Sequence, residues 1–209
     1  MTSTQMHSYF DLLLDKQGAP YFSADNKDLF INMAQVEYIK QLLPSNEGGV
    51  VNFEFDHIQT SNMVTLMYEV TSTAMSATGE ILKSAVQSAL DSASSSTEPF
   101  MFVANVSVGG YPAKYTTHND WYEFSKNTFK VSSVTQPRFK ELGTKFVFTP
   151  IAQSSTVKFT LIKEPKDIEL GVTDSELPSH THKAVVELAL DLATVSIRDG
   201  ELKQLNGKV

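Results

Sequence analysis

Apolar positions near the start of the chain return every three to four places, the repeat of a helix with one greasy side. Met6, Tyr9, Phe10, Leu13 and Leu14 keep this spacing and predict a helix over 4–15, capped by Ser3 or Thr4. Gly18, Ala19 and Pro20 end it, because proline lacks a donor and restricts the residue before it. A second helix is predicted over 25–43, capped by Ser23 or Asp25. Its apolar stripe is Leu29, Met33, Val36, Ile39 and Leu43, widened by Phe30 and Ala34. Pro44 and the Gly48-Gly49 pair stop it.

The pattern then turns to alternation. VVNFEF at 50–55 puts Val51, Phe53 and Phe55 on one face, a strand signal. MVTLMYEV at 63–70 fits a strand or a helical turn, and its β-branched content favours the strand. A helix is predicted over 79–93, with Ile81, Leu82, Ala85, Val86, Ala89, Leu90 and Ala93 on one face, dissolving into a polar link at 92–97. Phe100 to Val108 alternates again and Gly109-Gly110 turns it. A short helix follows over 119–129, capped by Asn119 or Asp120. Residues 145–149 and 156–163 flank Pro150 and a polar turn and predict a β-hairpin, ended by Glu164-Pro165. The last helix is expected to start near Ser175 or Ser179, with Pro178 tolerated in its first turn. Val185, Leu188, Ala189, Leu192, Val195 and Ile197 form its buried stripe.

The order of these elements predicts an α+β fold, with terminal amphipathic helices packed with a mostly antiparallel β-sheet or hairpin region. Residues 1–209 read as one structural domain. Its parts are an N-terminal helical arm (1–45), a β-rich body (46–170) with a helical insertion at about 79–95, and a C-terminal helix and tail (171–209). Hydrophobic residues make up 41% and charged residues 20%, within the globular range. No apolar run approaches the roughly 18 residues that span a bilayer. MTSTQMHSYF lacks the basic and apolar regions of a secretory signal. There is no cysteine, which excludes disulfides and cysteine-based metal sites. A net charge of −7 argues against a broad electrostatic grip on nucleic acid. It fits ordinary solubility, and also a non-adhesive wall beside DNA.

Candidate chemistry is sparse. His180 and His182 stand two apart, so on a helix they diverge and cannot chelate from one face. Glu176 and Glu187 complete no ligand spacing, and the histidines read as surface or capping residues. His118, Asp120 and Ser125 can be written as a catalytic set, yet no nucleophile elbow or oxyanion-type glycine loop accompanies them. Glu187 and Asp191 read as a solvated helix face. Tyr111, Tyr115, Trp121 and Tyr122 crowd one region and suit core packing, an interface or sugar stacking. Neither glycine pair leads into a phosphate-cradling motif. The reading is therefore of a non-enzymatic protein with no catalytic residue, cofactor or metal.

Three stretches carry a resemblance: DLFINMAQVEYI at 28–39, after the Pro20-Tyr21-Phe22 turn; TPIA at 149–152, leading to an alternating strand and Glu164-Pro165; and SELPSHTHKAVVELALDLA at 175–193. In this order they resemble structural proteins of tailed bacteriophages, particularly crAss-like phages. There a leading helix carries an N-x-A-Q element, a late strand ends in proline, and an ELP–H lead-in opens the final helix. The resemblance leaves out 56–98, where the Ala/Ser-rich helix looks like an insertion. It implies a virion protein, a ring-forming subunit of the neck or tail (a head–tail connector) assembled in the bacterial host cytoplasm. Its partners would be copies of itself in a ring and other virion proteins, such as the portal and neighbouring ring or tail proteins. DNA would pass nearby without sequence-specific binding, and no membrane is involved. The candidate interface is Met6, Tyr9, Phe10 and Leu13 on the first helix, with Trp121 and Tyr122. The alternative is a monomeric carbohydrate- or host-binding module built on Tyr111, Tyr115, Trp121 and Tyr122.

Overall fold

A computed structural model describes residues 1–16, 22–43, 57–72, 75–126, 132–151 and 156–206. The strand predicted at 50–55 lies outside them. In chain order the first elements are α1 (Ser3–Lys16), α2 (Ala24–Leu42) and α3 (His57–Met63). Then come β1 (Met67–Ser72), β2 (Glu80–Leu82), α4 (Lys83–Ser94), β3 (Phe100–Val108), β4 (Tyr111–Pro112) and β5 (Lys114–Tyr115). The last are α5 (His118–Lys126), β6 (Arg138–Glu141), β7 (Lys145–Thr149), β8 (Val157–Lys163) and α6 (His182–Asn206). The class is mixed α+β, with two mostly antiparallel sheets. The chain divides into two compact units, one built from Met1–Leu43, Asp56–Leu66 and Pro165–Val209, the other from Met67–Glu164.

In the helical unit α6 packs against α1 and α2. Met6 and Phe10 of α1, Ile31, Ala34 and Ile39 of α2, and Val185, Val186, Ala189 and Ala193 of α6 are fully buried. Ser23 caps α2, its hydroxyl accepting the Asn26 N–H at 3.3 Å. Phe22 stands edge-on to both Phe10 and Phe30, at 6.3 and 5.3 Å between centroids. α6 begins at His182, later than expected, because Pro178 to Thr181 form a separate turn closed by the Thr181 N–H and hydroxyl on the Pro178 carbonyl.

The β unit holds two four-stranded sheets, ordered β1-β8-β3-β4 and β2-β7-β6-β5. Among the described residues all strand pairings are antiparallel except β5 with β6. The predicted hairpin of β7 and β8 is corrected here, since the two strands belong to different sheets. Phe146 and Phe148 of β7 meet Phe159 of β8 at 5.2 and 6.2 Å between ring centroids. Set face to face, two sheets bury these alternating rings in one shared core, which side-by-side pairing would not do. Val86 and Leu90 of α4 join that core.

Two other expectations are revised. Ile81 and Leu82 form β2 and do not belong to the following helix. The 63–70 stretch divides, ending α3 at Met63, turning as a short 3₁₀ segment over Val64–Leu66, and entering β1 at Met67. Gly79 precedes β2 with φ +73°, and a Cβ there would lie 2.9 Å from the Phe148 carbonyl oxygen. Its own carbonyl accepts the Phe148 N–H at 2.8 Å, so the close approach is part of the sheet edge.

Candidate assembly surfaces

Two of the three stretches that carry the resemblance, 28–39 and 175–193, meet in the helical unit. Asn32 donates through Nδ2 to the Ile168 carbonyl (3.1 Å) and accepts the Ile168 N–H on Oδ1 (2.7 Å). Gln35 Nε2 donates to the Lys166 carbonyl at 3.4 Å, and its Oε1 accepts the Ser175 hydroxyl at 2.8 Å. Glu176 accepts the Lys166 N–H at 3.1 Å, and buried His182 donates through Nε2 to the Leu177 carbonyl at 2.7 Å. The segment between β8 and α6 has almost no regular structure of its own, so its backbone groups are satisfied by side chains reaching from α2 and from its own far end. Asn32, Ala34 and Gln35 are thus a clamp, with Ala34 small and fully buried between the two amides in sequence.

A second tie reaches α1. The Asp174 carboxylate accepts the Ser3 N–H at 2.5 Å, and the Ser3 hydroxyl accepts the Gly171 N–H at 3.2 Å. Bonding to the Ser3 backbone, then to its side chain, holds the Asp174 carboxyl below the ordinary carboxylate range. A carboxylate at this place also complements the positive end of α1.

The phase of α2 is the main surprise. Its inward face carries Lys27 (3% exposed) and Gln35 (1%) beside Ile31, Ala34 and Ile39. Leu29 (56%) and Met33 (49%), expected in the apolar stripe, face outward. The inversion is possible because the inward polar groups are bonded: Lys27 Nζ to Asp11 at 2.7 Å, and Gln35 within the clamp. With Leu188 and Leu192 of α6, the outward side chains line an open groove of about 650 Å³, rimmed by Glu37, Lys40 and Asp167. Val195, expected in the buried stripe of α6, is also exposed, while Val186, Leu190 and Ala193 take its place inside.

The six candidate interface residues divide. Met6 and Phe10 are consumed in the core of their own chain and present nothing to a neighbour. Tyr9 donates its hydroxyl to Glu187 of α6 at 3.2 Å, and Leu13 is half-buried. Leu12, which the helical stripe did not include, is 53% exposed beside them. On α5, Trp121 is half-buried with Lys140 Nζ 4.8 Å from its ring centroid, and Tyr122 is 61% exposed. Tyr115 turns away, edge-on to Phe139 at 5.6 Å. Tyr111 is 43% exposed.

The chemical candidates stay apart too. Asp120 pairs with Thr117, whose hydroxyl accepts the Asp120 N–H and donates to its carboxylate at 2.9 Å, so Thr117 and not Asn119 or Asp120 caps the helix. His118 is exposed, and the Ser125 side chain lies outside the described residues. His180 bonds Asn62 at 2.8 Å while His182 turns inward to Leu177. Among the described residues no group of three or more His, Cys, Asp or Glu is placed to hold a metal. A cleft of about 470 Å³ in the β unit lies along Phe100 to Asn105, with Tyr115, Phe139 and Glu141 opposite. Among the described residues no helix is long and apolar enough to cross a membrane. No protein-family model matches the chain, and neither does any curated protein.

Proposed function

We propose that this chain is a structural subunit that assembles into a closed ring in the neck or tail of a tailed-phage particle, around the DNA conduit, and performs no reaction. A ring grows by head-to-tail contact, in which one surface of each copy meets a different surface of the next. The observation that carries the reading is a pair of such surfaces on separate units. One is the outer side of α1, with Leu12 exposed beside Tyr9 and Leu13; the other is α5, with Tyr122 exposed beside Trp121. The resemblance supports it further, because two of its three stretches, 28–39 and 175–193, supply the side chains of the clamp in the helical unit. The net charge of −7 suits a wall past which DNA slides without adhering.

The absence of cysteine makes the test direct. In the double variant Leu12→Cys with Tyr122→Cys, oxidation is expected to link copies into a covalent ladder that ends in a closed species. Neither single variant should give that ladder. Double-variant protein that oxidises to no linked copies contradicts the proposed contact.

A further inference from the structure

We infer that the outward face of α2 is a two-fold docking surface for α2 of a second copy of this chain. The face is written symmetrically. Asp25 stands in the first turn of α2 and Lys40 in the last, both exposed. Between them lie Leu29, Met33 and Val36. At 3.6 residues per turn these five positions fall within about 80° of arc, one straight stripe. Laid antiparallel on itself about an axis between Asn32 and Met33, the stripe sets Asp25 opposite Lys40 of the second copy, at both ends. The same operation sets Leu29 against Val36 on either side of the axis and brings the two Met33 side chains to the centre. A parallel arrangement would place aspartate on aspartate and lysine on lysine, so charge selects the antiparallel register.

The division of labour follows from magnitudes. Exposed ion pairs contribute little affinity by themselves. The driving force is apolar burial: Leu29 and Met33 are the large side chains that α2 leaves outside, and Leu188 and Leu192 of α6 extend their strip. The charges fix orientation and exclude wrong registers. A helix that buries Lys27 and Gln35 while exposing Leu29 and Met33 is inverted relative to a solitary surface helix, and a covering partner removes the anomaly.

This contact does not rest on the ring proposal. A ring contact joins different surfaces, whereas this one joins a surface to itself.

Sedimentation equilibrium of the wild type and three variants tests it. Wild-type protein is expected to pair reversibly. Asp25→Lys and Lys40→Asp should each weaken pairing at least about tenfold, because like charges then meet at both ends. An equimolar mixture of the two single variants should regain it as a mixed pair, and so should the double variant D25K/K40D. Recovery by mixing also shows that each variant is folded. Wild-type protein that never pairs through α2, or a pairing the single variants leave unchanged, overturns the inference, as does a mixture no tighter than its components. The disulfide ladder of the Leu12→Cys, Tyr122→Cys protein is read separately. Its persistence in the D25K background with lost pairing leaves the ring standing, and its absence with intact pairing leaves only the pair.

Discussion

Asn32 grips the backbone of Ile168 from both sides, donating to its carbonyl at 3.1 Å and accepting its N–H at 2.7 Å, across 136 residues of sequence. The amide side chain supplies what a neighbouring strand would have supplied. Ile168 is buried at 1% exposure, so neither group has water as a substitute.

Replacing Asn32 with Ala strands both groups. Each unsatisfied buried partner costs about 1–3 kcal/mol, so the variant is expected to unfold at clearly lower denaturant. The Ile168 amide should lose its hydrogen-exchange protection first. Unchanged protection at Ile168 in the variant would show that the clamp contributes nothing.

Gly79→Ala meets two obstacles in one place: φ at +73° and the Phe148 carbonyl oxygen 2.9 Å from the new Cβ. A left-handed conformation in a residue with a side chain costs about 1–3 kcal/mol before the clash is counted. The expected result is a lower melting temperature with the two sheets still formed. A variant as stable as wild type would contradict the assigned backbone geometry.

Acid should loosen the tie between α1 and the segment before α6. The Asp174 carboxyl titrates below its ordinary value of 3.8 because Ser3 donates to the charged form. A depressed folded-state pKa means that the ionised carboxylate stabilises the fold at pH values above the unfolded one, and that this is lost as pH falls through the folded value. Asp174→Asn is therefore expected to be less stable than wild type near neutrality and to converge with it in strong acid. A stability difference that is the same at pH 7 and in strong acid would place its cause elsewhere.

How much of this was legible beforehand depended on what kind of contact decides each element. β3 emerged over Phe100 to Val108 as predicted, and its second half alternates in burial, with Ala104, Val106 and Val108 inside. The class, the α1 helix and the Ser23 cap followed from local spacing in the same way. The phase of α2 did not. Leu29 and Met33 carry the apolar signal, but burial of Gln35 depends on Lys166 and Ser175, far along the chain. Spacing cannot register a polar residue made buriable by a distant partner. The separation of β7 from β8 failed for a related reason: alternation shows which faces are apolar, not whether two such faces sit side by side or opposite. For the assembly surface, Met6 and Phe10 had the same pattern as an interface helix, and only the position of α6 against α1 decided that they face inward.

The Asn32 clamp and the outward Leu29 are two consequences of one rotation of α2. Turning the helix so that its amides reach the segment before α6 necessarily turns its leucine and methionine outward. Gln35→Leu tests that coupling. An apolar side chain here loses the bonds to Lys166 and Ser175, and the variant is expected to expose more of the 166–175 segment to protease while retaining its helix content. A segment as resistant as in wild type would separate the clamp from the helix phase.

Self-assembly is what the whole account stands on, and native mass spectrometry of the purified chain measures it most directly. A closed species with an integral and constant number of copies, giving way on Tyr122→Glu to single copies and α2-linked pairs, is the expected spectrum. One copy at every concentration, before and after that substitution, would contradict it.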